Sequence, residues 1–544
     1  MAYSYSKLNN PLAGNAEEVV ARRQSIDDEL QVLQKRMHDL RVERNSLCPI
    51  HCLSIELLGR IFLYLKGPGK GAGWEHVARV SRYWRDVALG CSPLWNVIDF
   101  SSKKDIELWL NRSKGTQLSV YAARVFPSDM PILASLLEDR LFRICRLSLG
   151  IWNGSPDFPQ LISKLVTIPA TSLEYLRLED PRTDRTLETD PFYLIPGELF
   201  SSVAPRLREL EISGCNLDSQ SALFQNLTHL TLHDCYPTLP FRGFLEILAK
   251  TPHLESLSVD DGFSPPSTDQ GWELVDGRPS VFRTISLPSL KFLSVSCCRE
   301  LTPQALSLPA HLALKSNTCV ELSGFQDVFP FHSVPQVDAL IREKSPSAPI
   351  DSITLFLSRS SFRLAVRSRS ESDENGALLL KVCLTSRGDN IDEHHPSYWA
   401  ASLLPLPLSN LHSFHTNIAI PHIVWFAVFG HLRSLEVIGL TGDAGPTFVE
   451  ALMGSCSSEG NEIIADVPFF PGLQTIEFVE MNFCALSLRS LRGSLAWRMR
   501  RTKAFHGIKM RWCVGMTASI VKAFKKQGID VEWDRREDKD RDNS

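Results

Sequence analysis

The feature that most constrains this chain is one strand-like pattern written many times. Leu-x-x-Leu-x-Leu, with apolar substitutes, appears as Ile144-x-x-Leu147-x-Leu149, Leu173-x-x-Leu176-x-Leu178, Leu207-x-x-Leu210-x-Ile212 and Leu227-x-x-Leu230-x-Leu232. It continues as Leu254-x-x-Leu257-x-Val259 and Leu290-x-x-Leu293-x-Val295, then Leu411-x-x-Phe414, Leu432-x-x-Leu435-x-Val437 and Leu473-x-x-Ile476-x-Phe478, with Ile508-x-Met510 as a further candidate. Alternation at period two puts the leucines on one face of a short strand. One such strand cannot bury that face alone, whereas stacked units bury a continuous core. The pattern therefore predicts an α/β solenoid. Proline often precedes the first leucine by two residues, as at Pro205, Pro252, Pro288 and Pro471, and Gly214-Cys215 and Asp234-Cys235 sit where the chain must turn out of the strand. The stretch Phe241–Ala249 has the apolar spacing of a connecting helix.

The intervals between first leucines are uneven, from 20 residues (207 to 227) to 41 (432 to 473), so the longer ones imply insertions. Unrelated strands of an ordinary α/β domain are the plainer alternative. Residues 302–410 fit the pattern least. Pro- and Ser-rich pieces (Phe329–Pro335, Ser345–Pro349) flank a strand at Ile353–Leu357, and Arg367–Asn375 reads as an exposed loop before a strand at Ala377–Leu384. Distorted repeats that extend the solenoid are expected there, with a break between two arrays as the alternative.

A different period governs the N-terminus. Asn15 with Glu18 reads as a helix N-cap and its capping-box partner. Val19, Ile26, Leu30, Leu33, Met37, Leu40 and Leu47 then follow heptad spacing between charged flanks, with Arg23 and Arg44 inside the seam. This is either a coiled coil, which would give self-association, or an amphipathic helix lying on its own protein. Pro49 ends it. Between Ile50 and Trp95 the chain concentrates large apolar side chains: Leu53, Leu57, Leu58, Ile61, Phe62 and Leu65 at helical spacing, then Val77, Val80, Trp84, Val87 and Ala88, then Leu94 and Trp95. So small a module carries more hydrophobic surface than it can bury by itself.

The same residues resemble an F-box, the short three-helix motif through which substrate receptors dock on the Skp adaptor of cullin–RING ubiquitin ligases. The family's Leu-Pro-x-Glu-Leu-Leu-x-x-Ile-Phe stands here as Leu53-Ser54-Ile55-Glu56-Leu57-Leu58-Gly59-Arg60-Ile61-Phe62. Its Val-Cys-x-x-Trp-Arg-x-Val-Ala stands as Val80-Ser81-Arg82-Tyr83-Trp84-Arg85-Asp86-Val87-Ala88, and its closing element as Pro93-Leu94-Trp95. Two features depart from the family: Ser54 replaces the usual proline, and the run Gly67–Gly73 replaces a short polar link. That run is a connector rather than a phosphate-binding loop, since Lys70 is followed by Gly71 and not by Ser or Thr. The repeats in turn resemble the divergent leucine-rich arrays that follow F-boxes in many fungal proteins.

These likenesses imply a fold with an irregular leucine-rich-repeat horseshoe. The implied organisation is a disordered stretch 1–14, a helix 15–48, an F-box-like domain 49–100, a repeat array 101–515, and a C-terminal helix with a charged tail 516–544. They imply a non-catalytic substrate receptor that meets the Skp adaptor, and through it cullin and RING subunits, with Leu53, Ile55, Leu57, Leu58, Ile61, Phe62, Leu65, Val80 and Trp84, some of these being internal core instead. A protein target of unknown identity would lie on the concave strand face. Its third and fifth motif positions include Tyr175, Arg177, His229 and Phe292 as anchors, because aromatics and arginine dominate interface energetics. A leucine-rich interaction scaffold outside any ligase is the alternative.

Composition supports this by exclusion. With 58 basic and 62 acidic residues there is no basic footprint for nucleic acid or a membrane surface. The N-terminus lacks a secretory pattern, Ile418–Phe429 is too short and interrupted to span a bilayer, and an odd 13 cysteines without repeated spacing suggest reduced thiols, hence the cytosol or nucleus. On that reading the Asn-x-Ser/Thr sites at Asn111, Asn153 and Asn226 are chance matches. No His-Glu-x-x-His, Gly-x-Ser-x-Gly or Walker pattern occurs. Cys48, His51 and Cys52 lack a second ligand pair, and Cys297-Cys298 and His394-His395 are poorly spaced to chelate, so neither metal nor cofactor is expected.

Overall fold

The structure is a computed structural model that describes residues 16–67, 73–101, 105–123, 125, 128–150, 157–179, 194–235, 239, 241–262, 274–275, 278–279, 285–300, 308–315, 317–325, 349–358, 361–368, 377–385, 408–454, 469–484, 488–502 and 504–534. The stretch 1–14, the Asn15 cap, the glycines between 68 and 72, Asn153, the Pro- and Ser-rich pieces 329–335 and 345–348, residues 369–376, His394-His395 and the tail beyond 534 lie outside it, as do the side chains of Cys297 and Cys298. The chain divides into two compact units, Met1–Asp129 with Arg143–Leu147, and Met130–Phe142 with Ser148–Ser544.

In the first unit a helix α1 runs from Ala16 to Ser46. Pro49 then opens a single 3-10 turn, Pro49–Cys52. Helix α2, Ile55–Lys66, starts where the Ser54 hydroxyl accepts the Leu57 N–H at 3.4 Å. Ser54 thus supplies the cap that such a helix start requires. Helix α3, Arg82–Gly90, begins the same way, with Ser81 accepting the Trp84 N–H at 3.2 Å. Strand β1 (Val97–Asp99), helix α4 (Ile106–Ser113) and strand β2 (Leu118–Ala122) follow, and β1 and β2 pair in parallel. Three indoles lock the helices to this first strand pair. The rings of Trp74 and Trp95, of Trp95 and Trp109, and of Trp74 and Trp109 lie 5.0, 5.0 and 5.8 Å apart, all edge to face. The Trp95 N–H donates to the Ala88 carbonyl at 2.8 Å and Arg112 caps its ring at 4.4 Å.

The second unit is organised by a mostly parallel sheet flanked by helices. Strand β3 (Ile144–Gly150) begins in the first unit. Then come β4 (Tyr175–Glu179), β5 (Glu209–Ser213), β6 (His229–His233), β7 (Ser256–Asp260), β8 (Phe292–Glu300) and β9 (Cys319–Phe325), paired side by side in parallel from β4 onward. A second parallel run comprises β13 (Ser413–Thr416), β14 (Val437–Thr441), β15 (Thr475–Val479), β16 (Gly507–Arg511) and β17 (Asp530–Trp533).

Between the two runs, β10 (Ile350–Leu357), β11 (Ser361–Ser368) and β12 (Ala377–Thr385) form an antiparallel meander rather than the distorted repeats expected from the sequence. The meander enters in reverse order. β12 pairs in parallel with β9, and β10 pairs in parallel with β13. The ladder is therefore unbroken.

The register explains its persistence. One row of partners runs Leu176, Leu210, Leu230, Leu257, Leu293, Val320, Leu380, Val366, Ile353, Phe414, Ile438, Ile476, Ile508 and Val531, and every member is buried. A parallel row starts at Leu178 and Ile212 and reaches Phe478 and Met510. Each of these side chains contributes about 1.5–3 kcal/mol by leaving water. Helices α5 (Met130–Arg140), α6 (Asp157–Leu165), α7 (Phe241–Ala249), α8 (Ala444–Gly454), α9 (Leu488–Arg501) and α10 (Ala518–Lys525) belong to this unit. Trp425 packs its ring 5.7 Å from Phe414 of β13 and 4.9 Å from Phe448 of α8.

Two backbone devices recur at the ends of the strands. Before the strand, a turn closes on the first leucine: Leu207 N–H to Ala204, Leu254 to Thr251, Leu290 to Leu287 and Leu473 to Phe470, at 3.1–3.2 Å. Pro205, Pro252, Pro288 and Pro471 each occupy the second turn position, where their fixed φ is already correct. At Pro471 the buried Arg498 adds a clamp, donating to the carbonyls of Phe469 and Phe470, and burial pushes its guanidinium down to about 10. After the strand, one residue adopts a left-handed conformation: Gly214, Asp234, Asp261, Gly442, Glu480 and Trp512. The N–H of Gly214, Asp234, Gly442 and Glu480 donates to the carbonyl closing the next strand, at 2.7–3.2 Å, and that of Asp261 to Ser296 within β8 at 3.0 Å. Just past this point the buried Cys215, Cys235 and Cys513 aim their thiols at the carbonyls of Leu178, Ile212 and Phe478 on the preceding strand.

Three readings of the sequence change. The frame Leu432-x-x-Leu435-x-Val437 is three residues early: β14 buries Ile438 and Leu440, so the repeat is Leu435-x-x-Ile438-x-Leu440. Over 302–410 the meander of β10, β11 and β12 replaces the distorted repeats. A further strand, β9, was hidden because Asn317 holds the first-leucine position. If the left-handed exit residue is a general strain point of each repeat, Glu480→Gly, which removes the Cβ penalty at φ 52°, raises stability by about 0.5–1 kcal/mol in urea unfolding.

Candidate interaction surfaces

Helix α2 separates its apolar residues onto two faces. Leu58 and Phe62 are fully buried, and Phe62 meets the Trp84 ring at 5.2 Å. These two proposed adaptor contacts are core positions, removed from the surface by the packing of α2 on α3. Leu53 and Trp84 are half-buried, and the Leu53 carbonyl accepts the Tyr83 hydroxyl at 2.8 Å. Ile55, Leu57, Ile61, Leu65 and Val80 remain exposed, from 38% at Ile61 to 60% at Ile55. Leu57, Ile61 and Leu65 follow at spacing four, a continuous stripe, and the exposed Tyr64 borders it. The helix has ended by Gly67, where Lys66 turns inward to donate to the Pro93 carbonyl at 2.7 Å and to Asn96 at 2.5 Å. Burial pushes its ammonium down to about 8.

The second surface is the non-core face of the parallel ladder. Pairing places Tyr175, Glu209, His229, Ser256 and Phe292 in one row and Arg177, Glu211, Thr231, Ser258 and Ser294 in the next. The four anchors read from the sequence therefore share a face, and adjacent members of a row are one strand spacing, about 4.8 Å, apart. They differ in freedom. Tyr175 donates to Glu211 at 2.8 Å, and Arg177 pairs with Glu211 at 3.0 Å and Glu179 at 2.9 Å. Burial pulls the Arg177 guanidinium down, yet Glu211, Glu179 and Tyr175 together raise it above its ordinary value. His229 is exposed beside the Thr228 hydroxyl at 2.9 Å, and Phe292 is half-buried.

A third row was missed: Glu179, Ser213, His233, Asp260 and Ser296. Strand alternation carried to the seventh motif position would have found it. Here His233 and Asp260 pair at 2.8 Å while Ser296 donates to the other Asp260 oxygen at 2.5 Å. The Asp260 hydrogen bond, reinforced by Asp234 and Asp261, raises the His233 pKa against the effect of burial.

In the second parallel run the fifth-position row, the counterpart of the Arg177 row, is His415, Gly439, Glu477, Lys509 and Glu532. Gly439 leaves the space into which the His415 ring folds, since a Cβ there would overlap it. His415 reaches Glu477 at 3.6 Å across that gap, and Lys509 reaches it at 3.1 Å. The His415 hydrogen bond, with Lys509, outweighs burial and holds the Glu477 carboxylate down to about 2. Ser434 and Glu436, the third and fifth positions of the Leu432 frame, precede the strand.

Cys48, His51 and Cys52 do not converge on an ion. His51 packs on the Tyr83 ring at 5.3 Å, and among the described residues no group of three or more His, Cys, Asp or Glu side chains is placed to hold a metal. Among the same residues no helix is long and apolar enough to cross a membrane. No protein-family model matches the sequence, and comparison with curated proteins gives no significant match.

The His233 pair makes the sheet face sensitive to pH. A raised folded pKa gives stability that is fully present below about 6.5, the unfolded value, and lost as pH rises through the folded value. The imidazole resonances of His233 should titrate above 6.5 in the wild type. In Asp260→Asn they should move back towards it, and the stability loss above that pH should shrink; an unchanged titration would remove Asp260 as the cause.

Proposed function

We propose that this protein is a substrate receptor of a Skp–cullin–F-box ubiquitin ligase, with the first unit as its F-box and the ladder as an irregular leucine-rich-repeat array. The supporting observation is the stripe Leu57, Ile61 and Leu65, with Tyr64 and Val80, left exposed on a module whose own core is already filled by Leu58 and Phe62. Exposed aliphatic side chains in series on one short helix are costly in water unless a partner covers them. In this reading Ile55, Leu57, Ile61, Leu65 and Val80 meet the Skp adaptor, Leu53 and Trp84 shape the edge of that contact, and Leu58 and Phe62 hold α2 in place.

The repeat face then holds a protein target. Its rows alternate acidic, basic and hydroxyl side chains around His229 and Phe292, which suits a polar segment carrying an apolar side chain more than an extended apolar one. The chain itself transfers nothing. It raises the local concentration of target at the conjugating enzyme that the cullin and RING subunits bring. The cytosol and nucleus are where such a ligase would act.

Binding of the full chain to a purified Skp adaptor tests this. Leu57→Asp/Ile61→Asp should weaken capture by about 100-fold or more, since a charge in a desolvated contact costs several kcal/mol. Circular dichroism should stay unchanged because both residues are exposed. Failure of the wild type to bind, or binding that survives both substitutions, sinks the reading.

A further inference from the structure

Helix α1 presents a seam that nothing in its own unit covers among the described residues. Ile26, Leu30, Leu33, Met37 and Leu40 are 43–55% exposed along a helix of 31 residues, about 46 Å long. The two arrangements open to the sequence alone, a coiled coil or a helix lying on its own protein, are thereby separated: the seam faces outward. Its spacing of three and four residues fixes the heptad, with Arg23, Leu30, Met37 and Arg44 at the first core position and Val19, Ile26, Leu33 and Leu40 at the second.

The charges beside the seam select both occupant and direction. In a parallel, in-register pair, Arg23 would face Arg23 and Arg44 would face Arg44 within the core. Along the flanks Arg36 would meet Arg41 of the other chain, and only Arg22 with Asp27 would attract. An antiparallel pair centred between residues 31 and 32 removes every one of these conflicts. Leu30 then packs on Leu33 of the second copy and Ile26 on Met37. Arg23 lies against Leu40 and Arg44 against Val19, so that their aliphatic stems pack while their guanidinium groups reach solvent. On the flanks Glu29 meets Arg36 and Arg22 meets Glu43, each twice by symmetry. Like charges meet at none of the flanking positions.

From this complementarity we propose that α1 is a homodimerisation element that pairs antiparallel with α1 of a second copy of the chain. Self-complementarity of a single surface is what a two-fold interface requires. The inference rests on α1 alone and is independent of the adaptor-binding reading.

Sedimentation or light scattering of the purified full chain over a wide concentration range tests it. The wild type should show a concentration-dependent dimer, and Leu33→Asp should remain monomeric with the same thermal unfolding of the rest of the chain. Glu29→Arg and Arg36→Glu should each raise the dimer dissociation constant by about tenfold, and the two together should restore it to within about twofold. A parallel pair gives the opposite sign for Arg36→Glu, which would then tighten the dimer by placing a carboxylate opposite Arg41. A wild type that stays monomeric, a dimer indifferent to Leu33→Asp, or a tighter Arg36→Glu dimer overturns the proposal.

Discussion

The ladder of the second unit rests on one constraint: a strand with a single buried face must be given neighbours in register. Leu230 is covered only because Leu210 and Leu257 stand beside it, and each of those depends on the next. A slip of one residue would turn the whole buried row to the solvent side and bring Thr231 or His229 into the core. The left-handed residue after six of the strands guards against this. By turning the chain at the same height after β5, β6, β7, β14, β15 and β16, it fixes where those strands end. The N–H it donates to a carbonyl of the adjacent strand, at Gly214, Asp234, Asp261, Gly442 and Glu480, then ties that height to the neighbour. The buried thiols of Cys215, Cys235 and Cys513 serve the same end in a smaller way, as weak donors to the preceding strand.

The first unit solves a different problem. Its helices are too short to enclose their own apolar residues, and the indoles of Trp74, Trp95 and Trp109 recruit β1 and α4 to complete a core. That leaves α2 rigid on one side and bare on the other. Ser54 caps the helix, Lys66 fastens its far end to the 93–96 turn, and Leu58 and Phe62 fix its rotation. A helix held at three points presents Leu57, Ile61 and Leu65 in one fixed arrangement.

Much of this was legible because leucine spacing and proline placement act locally. Proline two residues before a leucine sets a turn whatever the distant context, and the structure closes that turn at all four such sites. Legibility failed where two local solutions were equally good. Leu432 and Leu435 are both apolar at a spacing of three, and only Ile438 and Leu440, buried by β13 and β15, decide between the frames. It failed again at β9, where Asn317 breaks the signature while Val320 and Leu322 still fill the core. Alternation puts Tyr175, Arg177, His229 and Phe292 on one sheet face, as the strand pairing does, but no local rule shows that Glu211 ties up two of them.

The meander of β10, β11 and β12 shows why such a ladder tolerates insertion. Only β11 runs against the repeats, and the strands on its two sides, β12 and β10, keep their direction. Two antiparallel junctions, β12 with β11 and β11 with β10, restore the direction before β13 is reached. The buried row passes through Leu380, Val366 and Ile353 without a polar interruption. Direction and burial are therefore the only properties an insertion must preserve, and neither requires a leucine signature. An array built on this rule can lengthen and vary its outward face between fixed ends, and sequence pattern alone will count too few of its strands.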